Sequence, residues 1–243
     1  SSYFKCTNRG KSSFVANFKK KNELEMVQHL AKNADIIIEN YKVNNLKEYK
    51  LDYKNIKKIN KSIIYCSITG FGQNGPLALL PGYDFVIQAM AGIMSITGEK
   101  DGPPIKPGVA YADIFTSLYS VIAIQAALHS RKKTGIGSFI DMSLYDTQLA
   151  VLANQASTYL LNGKEPKRMG NKHPSIVPYQ LFEAKDGDII IACGNDQQFK
   201  SLCIAFEWDY ANSKKFSTNK KRIKNRIELI SELSNKLKKF KKE

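Results

Sequence analysis

The sequence predicts an α/β fold in two domains: a large one over residues 1–162 built on a parallel sheet, and a smaller α+β one over residues 163–243. Three observations predict it. A helical pattern at Glu23–Asn33 is followed at once by a strand, Asp35–Glu39, and a second strand, Ile63–Thr69, comes after a Lys-rich polar segment with room for a short helix. The β-branched run Ile36–Ile38 has polar residues at both ends, as a parallel strand covered on both faces does. After Gly163 the chain becomes basic and polar (GKEPKRMGNKHPS), then resumes apolar strands around Asp186-Gly187, so a separate hairpin domain is expected there.

Taken in order, the first strand should open a binding crevice at its carboxyl end, beside Asn40 and Tyr41. Gly70, Gly72, Gly75-Pro76, Pro81-Gly82, Gly98 and Gly102-Pro103-Pro104 then punctuate a loop-rich middle that holds the apolar stretch Phe85–Ile96. Two strong helices follow, Asp113 to about Arg131 and Ser143 to about Leu161, the latter closed by Gly163. Between them RKKTGIG links helix to strand. In the second domain, Tyr179–Phe182 and Asp188–Ala192 form the hairpin. From Lys214 onward, Ile223, Ile227, Ile230, Leu233, Leu237 and Phe240 recur at helical spacing, predicting one amphipathic helix with a lysine face.

Composition narrows the function classes. With 243 residues and 43% hydrophobic content the chain can bury a real core. No run approaches the roughly 18 apolar residues of a membrane-spanning helix, and Ser1–Asn8 lacks the apolar centre of a signal peptide. The formal charge of +15 comes from 32 Lys against 5 Arg, which argues against nucleic acid, because Arg is favoured for phosphate and base recognition. Cys6, Cys66, Cys193 and Cys203 form no CxxC pair, and Cys66 and Cys193 lie in apolar strands as buried, inert thiols. His29, His129 and His173 are far apart and lack partners at ligand spacing, so no metal site is expected. GxSxG, a P-loop and an uninterrupted GxGxxG are absent.

One carboxylate stands out. Asp113, in PGVAYADIFTSLYS, follows a Pro-Gly turn and small residues and opens a helix. As plain structure it is an N-cap. As chemistry, a helix N-terminus favours an ionised carboxylate, Gly108 and Ala110 leave room for a substrate, and the group can attack an acyl carbon. Asp141 and Asp146, near the start of the next helix, are explained by capping and dipole effects, whereas Asp84 beside Tyr83 in PGYDF is an accessible loop residue.

The stretches IIIENY, IIYCSITGFGQNGP, PGYDFVIQAMAGIMSITG, PPIKPGVAYADIFTSLYS and SIVPYQLFEAKDGDIIIACGNDQQF together resemble the class III CoA-transferases. That family includes formyl-CoA and carnitine CoA-transferases and the α-methylacyl-CoA racemases; the likeness is strongest to its succinate–hydroxymethylglutarate, or glutarate, branch. The resemblance implies a Rossmann-like large domain, an interlocked homodimer, and relatives that extend past both ends of this chain. It implies Asp113 as nucleophile, Asn40 and Tyr41 as CoA contacts, and Tyr83 and Asp84 as pocket residues. Gly170 and His173 fall in a segment, Gly170–Ser175, that closes over the active site in some members. Coenzyme A and a carboxylic acid would be the substrates, with no resident cofactor, metal, nucleic acid or membrane partner. A mitochondrial address, with a cytoplasmic alternative, follows only from the analogy. Two other readings stay open: a racemase-like enzyme, disfavoured because Tyr83 stands where racemases carry a His, and an inactive acyl-CoA-binding fragment.

Overall fold

A computed structural model describes residues 1–242. The chain divides into two compact units, Ser1–Ile93 with Lys106–Lys164, and Met94–Ile105 with Glu165–Glu243. The second unit thus takes in residues 94–105, a Gly/Pro-rich stretch from the middle of the chain that the sequence reading assigned to the first. The physical reason is local pairing: Gly170 N–H donates to Gly98 O at 2.9 Å, so the segment after Gly163 packs on this loop.

The first unit begins with α1 (Ser2–Thr7) and α2 (Lys21–Asn33), then β1 (Ile36–Glu39), α3 (Asn45–Glu48), α4 (Tyr53–Ile59) and β2 (Ile64–Thr69). It continues with α5 (Asp84–Met90), α6 (Ile93–Ile96, which runs into the second unit), α7 (Tyr111–Thr134), β3 (Ser138–Ser143), α8 (Leu144–Ala150) and α9 (Ala153–Asn162). The three strands form a parallel sheet in the order β1-β2-β3, with Ile36 opposite Ile64 and Ile64 opposite Ser138. The central strand β2 is buried along nearly its whole length, as a strand flanked by helices must be. Ile64, Cys66, Ile124, Ala127 and Met142 make the core on one side; Ile56, Ile63, Tyr65 and Ala31 make it on the other.

Helix α7 is the one described helix long and apolar enough to cross a membrane by length and composition alone. It packs against β2, β3, α5 and α8. The face it buries is small and partly polar, Ala112, Thr116, Ser120, Ile124 and Ala127, while Leu118, Val121 and Ile122 are exposed.

The single helix expected over Ser143–Leu161 is two. After α8 the chain tightens, Leu152 N–H reaching Leu149 O, and Ala153 enters the left-handed region with φ 47°, which redirects α9. The second unit pairs β4 (Tyr179–Ala184) with β5 (Gly187–Ala192) as the predicted antiparallel hairpin, followed by α10 (Asp196–Ala205), a 3₁₀ turn (Asp209–Asn212), α11 (Asn219–Lys224) and α12 (Arg226–Leu237). Here too one expected helix is broken. Asn225 folds its amide back on Lys221 O and Lys215 O, ending α11 and changing the register. Leu229, Leu233 and Leu237 consequently face the core, whereas Ile227, expected inside, is 88% exposed.

Candidate active site at the start of helix α7

The site grows from a crossing of two glycines. A β-carbon at Gly70 would lie 2.5 Å from Gly82 Cα, so only glycine lets the loop leaving β2 touch the chain entering α5. This crossing fixes Tyr83, the residue before α5, and Asp84, its first residue, beside the carboxyl end of β2. Beneath them Ile87, Ala112 and Leu144, one each from α5, α7 and α8, are buried against Ile68, Phe71 and Tyr145.

Asp113 is the third residue of α7, not its N-cap; that place belongs to Ala110, which has no capping side chain. Capping comes from another element. Asp84 Oδ1 accepts the N–H of Ala112 at 2.8 Å and that of Asp113 at 3.3 Å, satisfying the N2 and N3 donors that a helix start leaves unpaired. Asp84 Oδ2 accepts Gln88 Nε2 at 2.7 Å. Asp84, expected as an open loop residue, is therefore a half-buried helix residue whose two oxygens are both engaged. No local sequence pattern marks this role, because the cap comes from 28 residues away.

Asp113 itself is exposed. Its carboxyl is pushed above the usual carboxylate range, chiefly by the hydration it loses against the surrounding protein and secondarily by the negative charge of Asp84. A helix N-terminus acts in the opposite sense, favouring the ionised form. The result is a more basic, more nucleophilic carboxylate reachable from solvent.

The sheet edge is braced by a polar chain. Tyr41 N–H donates to Glu39 Oε2 at 2.8 Å, Glu39 Oε1 accepts Ser67 Oγ–H, and Gln73 Nε2 donates to Ser67 Oγ at 2.8 Å. Gln73 N–H is in turn held by both oxygens of Asp141, at 3.1 and 3.0 Å. Asp141 was expected to act at a helix start; it sits instead in β3 and anchors the glycine loop 70–76 through Gln73. Asp146 lies in the first turn of α8, whose cap is Ser143 Oγ, as capping logic predicted.

Asn40 is exposed and donates through Nδ2 to Ile68 O at 2.6 Å, tying β1 to β2 at the predicted crevice. Tyr41 lines a cleft of about 550 Å³ with Phe18, Lys19, Glu48 and Tyr49. Tyr83 is 75% exposed. The other two candidates lie in the second unit. Gly170 has φ 57°, and a β-carbon there would fall 2.7 Å from Glu99 Oε2. His173 Nδ1 accepts Ser175 N–H at 3.1 Å, which places the ring proton on Nε2, and the ring packs on Tyr179 at 5.1 Å. Among the described residues no group of His, Cys, Asp and Glu is arranged to hold a metal ion. Cys66 and Cys193 are buried, as expected.

The chain matches the family model for CoA-transferase family III over residues 1–243. It is a member of that family. It is 50% identical over 228 residues to the succinate–glutarate CoA-transferase of Agrobacterium fabrum, covering 93% of this chain and 57% of that protein. It is 45% identical over 235 residues to the succinyl-CoA:glutarate CoA-transferase of Mus musculus, covering 96% and 54%. The crystal structure of a CAIB/BAIF family protein from Brucella suis superposes with a TM-score of 0.83 at 52% identity, covering 99% of this chain and 64% of that one. The chain thus spans little more than half the length of the curated relatives it matches. These likenesses agree with the α/β architecture and the family expected from the sequence.

Proposed function

We propose that the protein transfers coenzyme A between an acyl-CoA, succinyl-CoA in the first instance, and a dicarboxylic acid such as glutarate, with Asp113 as the covalent nucleophile. The observation that carries this reading is the exposed Asp113 carboxylate, raised in basicity beside Asp84, at the start of α7. The activities named for the two relatives supply the substrate class.

Asp113 attacks the thioester carbonyl of the donor; the C–S bond breaks, CoA leaves as thiolate, and a mixed anhydride remains. The thiolate then attacks the Asp113 acyl carbon, expelling the donor acid as a carboxylate and leaving an aspartyl-CoA thioester. The acceptor carboxylate repeats the two steps in reverse, and Asp113 returns ionised. No proton is gained or lost, so a proton-transferring imidazole is not needed where Tyr83 stands.

The cleft beside Tyr41, with two further aromatic rings and Lys19, suits the nucleotide end of CoA, and Asn40 is the residue before Tyr41 in the chain. The exposed apolar face of α7 supports a second copy as partner, consistent with a homodimer. No cofactor is required by these steps.

The test is CoA exchange between succinyl-CoA and glutarate. Asp113→Ala should abolish it, while retained turnover would reject the assignment.

A further inference from the structure

We infer that Gln88 is a positioning residue for the nucleophile, acting through Asp84 on the first turn of α7; this rests on the reading of Asp113 given above. Three contacts make one line. Gln88 Nε2 donates to Asp84 Oδ2 at 2.7 Å, Asp84 Oδ1 accepts Ala112 N–H at 2.8 Å, and the same oxygen accepts the N–H of Asp113 at 3.3 Å. Asp84 and Gln88 are four residues apart on α5, so the helix itself sets their spacing.

Gln88 is wholly buried, and its Oε1 finds no hydrogen-bond partner among the described residues. An amide buried with half its capacity unused costs stability that a leucine or methionine at the same place would not. The neighbouring Ile87, buried with Ala112 and Leu144, shows that α5 also turns aliphatic side chains inward at this wedge. What the glutamine supplies in return is one directed donor to Asp84.

The choice of donor has a chemical consequence. A lysine or arginine would hold Asp84 equally well but neutralise it. A neutral amide fixes the carboxylate while leaving its charge in place beside Asp113. Without that anchor, Asp84 can rotate away from the helix start, and both the cap and the electrostatic pressure on Asp113 are lost. Placement errors of this order at a reacting group reduce the chemical step far more than they reduce binding.

Gln88→Met keeps the side-chain volume and removes the donor; Gln88→Asn keeps an amide but withdraws it by one methylene, so either variant tests the contact. In amide hydrogen exchange on the whole chain, Ala112 and Asp113 should lose protection while Ser120 and Ile124, deep in α7, keep theirs. Unchanged exchange at Ala112 and Asp113, or an equal rise along the whole helix, overturns the inference. This readout needs no turnover, so it stands or falls separately from the nucleophile assignment.

In CoA transfer the variant should lower kcat by about tenfold or more with KM for acyl-CoA within about twofold. In an Asp84→Ala background, the same Gln88→Met change should add less than about twofold, because both acceptors it acts through are already gone. Full additivity in that background would mean that Gln88 serves only the core.

Discussion

Two charged centres in this molecule, Asp113 in the first unit and Arg222 in the second, are built on opposite plans. Arg222 is wholly buried, yet every side of it is answered: Nε donates to Val177 O at 2.6 Å, Nη1 to Phe216 O at 3.1 Å and Nη2 to Asp196 Oδ1 at 2.8 Å, and the guanidinium lies 4.4 Å from the Phe199 ring. Asp113 is exposed, has a like charge as its neighbour, and its carboxyl is pushed toward the protonated form. A satisfied buried charge fixes a structure, because any change leaves groups unpaired. A solvent-reachable carboxylate beside a like charge is instead free to meet a substrate. The comparison separates the charge that holds the second unit together from the one proposed to carry the chemistry.

The largest expected effect breaks the reactive centre alone. Asp113→Asn should lower CoA transfer by at least about 10³-fold, since an amide cannot form the anhydride. Its stability should move the other way. Asp113 has a folded pKa raised above the ordinary carboxylate value, so its ionisation weakens the fold as pH climbs from that ordinary value through the raised one. The variant should therefore melt higher than the parent at neutral pH, with the gap closing below the ordinary carboxylate pKa. A lower melting temperature at pH 7 would contradict the electrostatic account.

Next comes the structural centre. Arg222→Met should destabilise by about 3 kcal/mol in urea denaturation, because the Val177 and Phe216 carbonyls lose their buried donor. A change within experimental error would mean that the second unit does not depend on this cation.

Asp84→Asn sharpens the comparison by removing the like charge while keeping the side-chain shape. The acid limb of the kcat/KM profile should move to lower pH, because the Asp84 charge that helps raise Asp113 is gone. A limb that stays in place would leave desolvation as the sole cause.

The smallest effect belongs to the loop brace. Asp141→Ala removes both acceptors of Gln73 N–H and should cost about 1 kcal/mol, with transfer reduced only a few-fold. A loss comparable to that of Asp113→Asn would make the loop part of the chemistry.

Much of this arrangement was legible in the sequence. The Ile-rich strands, the Asp186-Gly187 hairpin and the long helix after Pro107-Gly108 all announce themselves, because periodicity and turn residues act locally. Asp113 could be singled out for the same reason. Its cap could not: the partner that satisfies Ala112 and Asp113 comes from α5, and Gln88 looks like any polar residue in an apolar helix until its burial is known. The two mistaken helices failed in a related way. Hydrophobic spacing runs on unbroken through Asn225 and Ala153, while backbone conformation at those single residues redirects the chain. The attachment of residues 94–105 to the second unit was likewise invisible, since it rests on pairing between distant loops.

The most direct test of the central claim is mass spectrometry of the protein after brief incubation with succinyl-CoA and proteolysis. The account predicts a CoA thioester on the peptide that carries Asp113 and on no other carboxylate, absent in Asp113→Asn. A CoA adduct mapped to a different residue, or one that persists in the variant, would contradict it.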